Sequence, residues 1–124
     1  MSLSKKEAAN YLMDKIERIE PFEEKLGIRY ESISVKVDYL DFYDEPWKVT
    51  VLGDVIEHEN GNLANFQTWQ IETVVNLYDE NNRIIATGGS SFQVRDYLGF
   101  TTFEVSINQL ESIEEIKRIR IYPR

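Results

Sequence analysis

Trp69-Gln-Ile-Glu-Thr-Val-Val-Asn-Leu-Tyr-Asp-Glu-Asn-Asn-Arg-Ile-Ile-Ala-Thr87 alternates inward and outward positions, breaks on a polar run and then resumes. Trp69, Ile71, Thr73, Val75 and Leu77 fall on one face, and Gln70, Glu72, Val74, Asn76 and Tyr78 on the other. That is the two-residue period of a strand with one buried face. Asp79-Glu80-Asn81-Asn82 supplies the turn, because Asn tolerates the left-handed conformation that a type I turn with a following bulge requires. Arg83 to Thr87 carries the chain back, so the stretch predicts a β-hairpin.

Upstream of the hairpin, Ile33, Val35 and Val37 alternate with polar residues in a first strand that starts near Ile28. Val49, Val51 and Val55 continue the pattern, with Gly53 inside it marking a bulge or a close backbone approach. Asn60-Gly61-Asn62 is a turn signal. Downstream, Gly88-Gly89-Ser90-Ser91 reads as a flexible connection, followed by Phe92 and Val94 and a turn at Leu98-Gly99. Phe103, Val105 and Ile107 form another strand face, and Ile119 and Ile121 the last one. Between them Leu110, Ile113 and Ile116 are spaced by three, which predicts a short helical turn with Ser112 and Glu115 in capping-box register. About seven short strands with turns between them, and no internal repeat, predict a mainly β, antiparallel β-sandwich.

The first residues have a different period. Ser4-Lys5-Lys6-Glu7 matches a capping box, and Ala8, Tyr11, Leu12, Lys15, Ile16 and Ile19 share one helical face. Pro21 closes this helix or begins a second turn through Phe22 to Leu26, with Gly27 free to take the left-handed cap. The expected organisation is a helical segment over residues 1–27 packed on a sandwich over residues 28–124.

The chain has 124 residues, 42% hydrophobic and 12% aromatic, enough for one domain that buries its own core. It has no cysteine, which removes disulfides, thiolate metal sites and a thiol nucleophile. A net charge of −8 argues against a nucleic-acid partner, since phosphate binding needs a basic surface. Lys117, Arg118, Arg120 and Arg124 form a local basic cluster that reads as the polar face of the terminal strand. No apolar run reaches the roughly 18 residues of a membrane span, so no membrane insertion is expected. The N-terminus turns charged and helical within a few residues, so the chain as written reads as cytoplasmic. If Met1-Ser2-Leu3 stands in place of a removed leader, a cell-envelope or secreted location follows instead.

Taken in order, Gly53-Asp54-Val55-Ile56, Asn60-Gly61-Asn62, Leu77-Tyr78-Asp79 and Phe103-Glu104-Val105 resemble the elements of the FxLYD family. The resemblance covers about Trp47 to Tyr122. This chain has Asn82 where the family usually has Gly, and Tyr97-Leu98-Gly99-Phe100-Thr101-Thr102 in place of a Pro-Gly-acidic turn. The resemblance implies a small immunoglobulin-like sandwich of bacterial or archaeal origin with no shared catalytic residues and no cofactor. It also implies a role in recognition or scaffolding, often in the cell envelope.

Asp38 to Trp47 is the stretch with functional content. Tyr39, Phe42, Tyr43 and Trp47 offer a contact surface, since aromatic residues are enriched at interfaces. With no clean alternation and with Pro46 in the run, one buried face cannot take all four rings, so some are expected inside and at least one outside. Burial of the rings under the N-terminal helix is the alternative. Asp38, Asp41, Asp44 and Glu45 offer hard oxygen ligands for Ca²⁺, though not with the spacing of an EF-hand loop. His58, flanked by Glu57 and Glu59, lacks the partners of a metal site or a nucleophile elbow and reads as a solvated turn residue. Pairs such as Asp41 and Asp44 arise by chance in a chain with 22 acids, and Gly88-Gly89-Ser90-Ser91 lacks the Gly-Lys-Ser/Thr ending of a phosphate loop. The expected function is a non-enzymatic module binding another protein or a second copy of itself. A Ca²⁺-binding module is the alternative, and an enzyme comes third.

Overall fold

The computed structural model describes residues 4–57, 70–97 and 99–124. In chain order its elements are α1 (Lys5–Met13), β1 (Ile16–Arg18), α2 (Glu20–Leu26), β2 (Ile28–Tyr39), β3 (Trp47–Glu57), β4 (Gln70–Tyr78), β5 (Ile84–Gln93), a 3-10 turn (Val94–Asp96), β6 (Phe100–Leu110) and β7 (Arg118–Pro123). One sheet has the order β1-β7-β4-β5 and the other β2-β3-β6. The hairpins β2–β3 and β4–β5 each stay in one sheet, whereas β3 to β4, β5 to β6 and β6 to β7 cross between sheets. Among the described residues this is the expected mainly β sandwich, seven strands in two sheets, antiparallel throughout except where β1 lies parallel to β7.

The hairpin sits in the middle of its sheet, β4 lying between β5 and β7. Ile71, Thr73, Val75 and Leu77 of β4 are buried against Val49, Val51, Val55, Phe103, Val105 and Ile107 of the facing sheet, with Ile119 and Ile121 alongside. Trp69, His58 and the Asn60-Gly61-Asn62 turn lie outside the described residues. At the turn, Asn82 has φ 59°, and the Asp79 carboxylate accepts from the amides of Asn81 and Arg83, both at 2.9 Å. A bulge between Leu77 and Tyr78 completes the geometry that the sequence predicts.

Two alternation breaks inside strands have a common cause. Ile28 and Tyr30 point inward in β2, and so do Val37 and the half-buried Ile33 and Val35, although the first two have opposite parity to the rest. Ser32, at φ 53°, forms a bulge that resets the register between Glu31 and Ser34. In β6, Gln109 at φ 61° does the same, allowing Leu110 to join Phe103, Val105 and Ile107 in the core. Gly53 makes room for the Phe103 ring, since a Cβ there would lie 2.9 Å from Phe103 Cε1.

Three expectations need correction. The N-terminal helix starts on its Ser4/Glu7 capping box and ends at Met13, and Ile16–Arg18 is a strand of the sandwich rather than more helix. Hydrogen bonding to β7 decides this, the Ile119 amide donating to Lys15 O at 2.9 Å. Residues 1–27 therefore contribute to the sheet as well as covering it, with α2 capped by Gly27 at φ 74° as expected. Gly88-Gly89-Ser90-Ser91 lies within β5, not in a connection: a Cβ on Gly88 would stand 3.0 Å from both Ile107 Cγ1 and Val105 Cγ1, so bare backbone fits the facing sheet there. Leu110, Ile113 and Ile116 are all buried, but they are held by one turn, Ile116 N to Ile113 O at 3.1 Å, rather than by a helix.

Candidate interaction surface

The segment from Leu40 to Pro46 joins β2 to β3 across one end of the sandwich. Its base is pinned. Leu40 N donates to Pro46 O at 2.7 Å, Tyr43 N donates to Leu40 O at 3.2 Å, and Pro46 is buried. Tyr39 and Trp47 are opposite one another in the ladder, with their rings edge to face at 5.0 Å. Trp47 packs against the core, which anchors one end of the loop. The remaining rings face water: Tyr39 is 44% exposed, Tyr43 58% and Phe42 97%. The expected division of the four rings is therefore present, and none of the three outer ones is covered by the N-terminal helix.

Asp41, Asp44 and Glu45 are exposed around these rings and Asp38 is half-buried in β2. Among the described residues, these four included, no three His, Cys, Asp or Glu side chains come together as a metal-holding group. The loop therefore presents acids and aromatics side by side without converging the acids on a point.

A second polar surface, of which sequence reasoning named only the C-terminal cations, covers the outer face of the four-stranded sheet. Asn76 donates to Tyr122 Oη at 3.2 Å and to Tyr78 Oη at 3.4 Å, and its Oδ1 accepts from the Thr87 hydroxyl at 2.6 Å. Arg124 donates to Glu72 at 2.6 Å, while Arg118 and Arg120 lie 3.4 and 3.7 Å from Glu17. The Arg120 guanidinium also stands over the Tyr78 ring at 5.3 Å. Thus three of the four C-terminal cations belong to in-chain pairs on this face, as the terminal-strand reading expects. Lys117 reaches Tyr11 Oη at 3.4 Å. Val74 and Gly89 floor a shallow depression of about 440 Å³ rimmed by Glu72, Asn76, Tyr122 and Arg124. Its polar groups pair with one another. The available sequence signal was the set of outward positions Glu72, Val74, Asn76 and Tyr78 beside the alternation Arg118, Arg120, Tyr122 and Arg124; only the pairing of β4 with β7 brings them together.

A buried acid lies at the edge of the other sheet. Glu23 of α2 is 1% exposed, accepts from Arg18 Nη2 at 2.7 Å and Nε at 3.1 Å, and accepts from the Tyr30 amide at 3.1 Å. It is a structural clamp that covers an edge amide of β2, with both carboxylate oxygens in use. Among the described residues no helix is long and apolar enough to cross a membrane. Compared with known proteins, the chain matches no family model, no curated protein and no solved structure.

Proposed function

We propose that this chain is a non-enzymatic β-sandwich module that binds another protein or a second copy of itself, with the β2–β3 loop as an anchor. Phe42 carries the reading. A ring that is 97% exposed at the tip of a pinned loop forgoes roughly 1.5 to 3 kcal/mol of burial, which a partner's pocket would recover. Tyr39 and Tyr43 flank it, and Asp41, Asp44 and Glu45 set the rim, so the complementary surface is an apolar pocket bordered by Lys or Arg. The Leu77-Tyr78-Asp79 hairpin resembles that of the FxLYD family, and on that resemblance the role is recognition or scaffolding.

The test is differential capture. Immobilised wild-type chain and its Phe42→Ala variant are exposed to the same extract, and a protein held by the first and lost by the second is purified and titrated against both. Supporting this reading requires a purified partner whose affinity falls at least about 30-fold with Phe42→Ala, the size of an interface hot spot. Equal affinity for both forms would remove the loop from the binding surface.

A further inference from the structure

The four-stranded sheet ends on β5, which among the described residues pairs only with β4. About half of its backbone N–H and C=O groups therefore point away from the sheet. Sheet edges are ordinarily blunted by short length, charge, bulges or cover. The other three edges show such devices. β1 is three residues long. β2 carries Arg29, Glu31, Lys36 and Asp38, is bulged at Ser32, and has its Tyr30 amide capped by Glu23. β6 carries Glu104 and the irregularity at Gln109. β5 is ten residues long, Ile-Ile-Ala-Thr-Gly-Gly-Ser-Ser-Phe-Gln, with no charge and no proline in a chain that is 29% charged. Its register irregularity is confined to the hairpin end.

We infer that β5 is a self-pairing edge: two copies of this chain associate by antiparallel β5–β5 pairing about a two-fold axis. This deepens the reading of the chain as an interaction module and stands on a different surface from the Phe42 loop. Two features select a second copy as the occupant. A neutral edge lets two molecules of net charge −8 meet backbone to backbone without burying a charged side chain. Antiparallel pairing of identical strands is self-complementary, so it uses both free edges and stops at a dimer.

The full chain is measured by light scattering coupled to size exclusion over a concentration series, alongside Ser91→Lys and Phe42→Ala. Ser91 is exposed and lies opposite Glu72, which gives an added lysine a partner within the sheet while charging the edge. The expected result is a mass near twice 14.6 kDa at high concentration for wild type and Phe42→Ala, and a monomer for Ser91→Lys with an unchanged melt. A wild-type chain that stays monomeric at millimolar concentration overturns the proposal, as does a dimer that survives in folded Ser91→Lys. If Ser91→Lys fails to fold, amide exchange of wild type decides. Protection over residues 84–93 that is lost on dilution supports the edge, and protection independent of concentration overturns it. Loss of the dimer in Phe42→Ala would place the contact on the loop and also overturn the edge.

Discussion

Asn82 holds the hairpin turn at φ 59°, a conformation that costs most side chains free energy and glycine almost none. Asn82→Gly should be neutral or stabilising, and Asn82→Val should lose about 1 to 2 kcal/mol in denaturant unfolding. Equal stability of the two variants would remove this turn geometry. Asn82 was legible because Asn is one of the few residues that signal left-handed backbone. Ser32 and Gln109 adopt the same region at φ 53° and 61°, and neither type announces it, so both parity breaks were invisible. Tyr30 makes a second prediction at this scale. Its hydroxyl is buried, 2.9 Å from Thr73 Oγ1, with Phe103 edge to face at 5.2 Å. Burial lifts its ionisation far above the ordinary tyrosine value, the nearby Glu23 charge adds to this, and the Thr73 hydrogen bond opposes it. Burial and the Glu57 charge push the half-buried Tyr97 up to about 12. Below about pH 10 both rings are neutral folded or unfolded, so their contribution is fully present there. As pH rises further the unfolded chain ionises first, and that stability is lost progressively through the folded-state values. Melts at about pH 7 to 11 should fall in the upper part of the range, and Tyr30→Phe should flatten the fall while losing about 1 kcal/mol at neutral pH. An identical alkaline slope in the variant would place the cause elsewhere.

The element that best separates local preference from packing is β5. Gly is a poor strand former, so Gly88-Gly89 reads locally as a connection. The facing sheet overrides that preference, because Val105 and Ile107 stand where a Cβ of residue 88 would go. Gly88→Ala should therefore destabilise by about 1 to 3 kcal/mol in urea unfolding, the cost of overpacking a filled core. A neutral result would show that the sheets can separate at this point. β1 was illegible for a related reason. Ile16 and Ile19 continue the helical spacing of α1, and only the β7 backbone, brought in from the far end of the sequence, turns Ile16–Arg18 into strand. The β2–β3 loop was more readable, since Pro46 and the broken alternation exclude a regular strand. Which rings stayed outside depended on Tyr39–Trp47 stacking and could not be read from order alone.

At the scale of the whole molecule, a charge of −8 is set against a few mostly exposed ion pairs, which individually contribute little. Because Asp38, Asp41, Asp44 and Glu45 do not converge, Ca²⁺ has no shared set of ligands among them. Adding Ca²⁺ should leave the melting temperature where an equal ionic strength of NaCl puts it; a specific rise would show native-state binding and restore the calcium reading. The sandwich was legible because period and turn chemistry recur along the chain. The partner-facing chemistry was legible only as a stretch rich in rings and acids, because exposure is a property of the assembled loop. The most direct measurement sets stability beside affinity for Phe42→Ala, using the partner recovered by differential capture. Unfolding free energy should stay within about 0.5 kcal/mol of wild type, and binding should weaken by about 2 kcal/mol or more. Unchanged binding, or a loss of stability as large as the loss of binding, would contradict the role of this loop as an anchor.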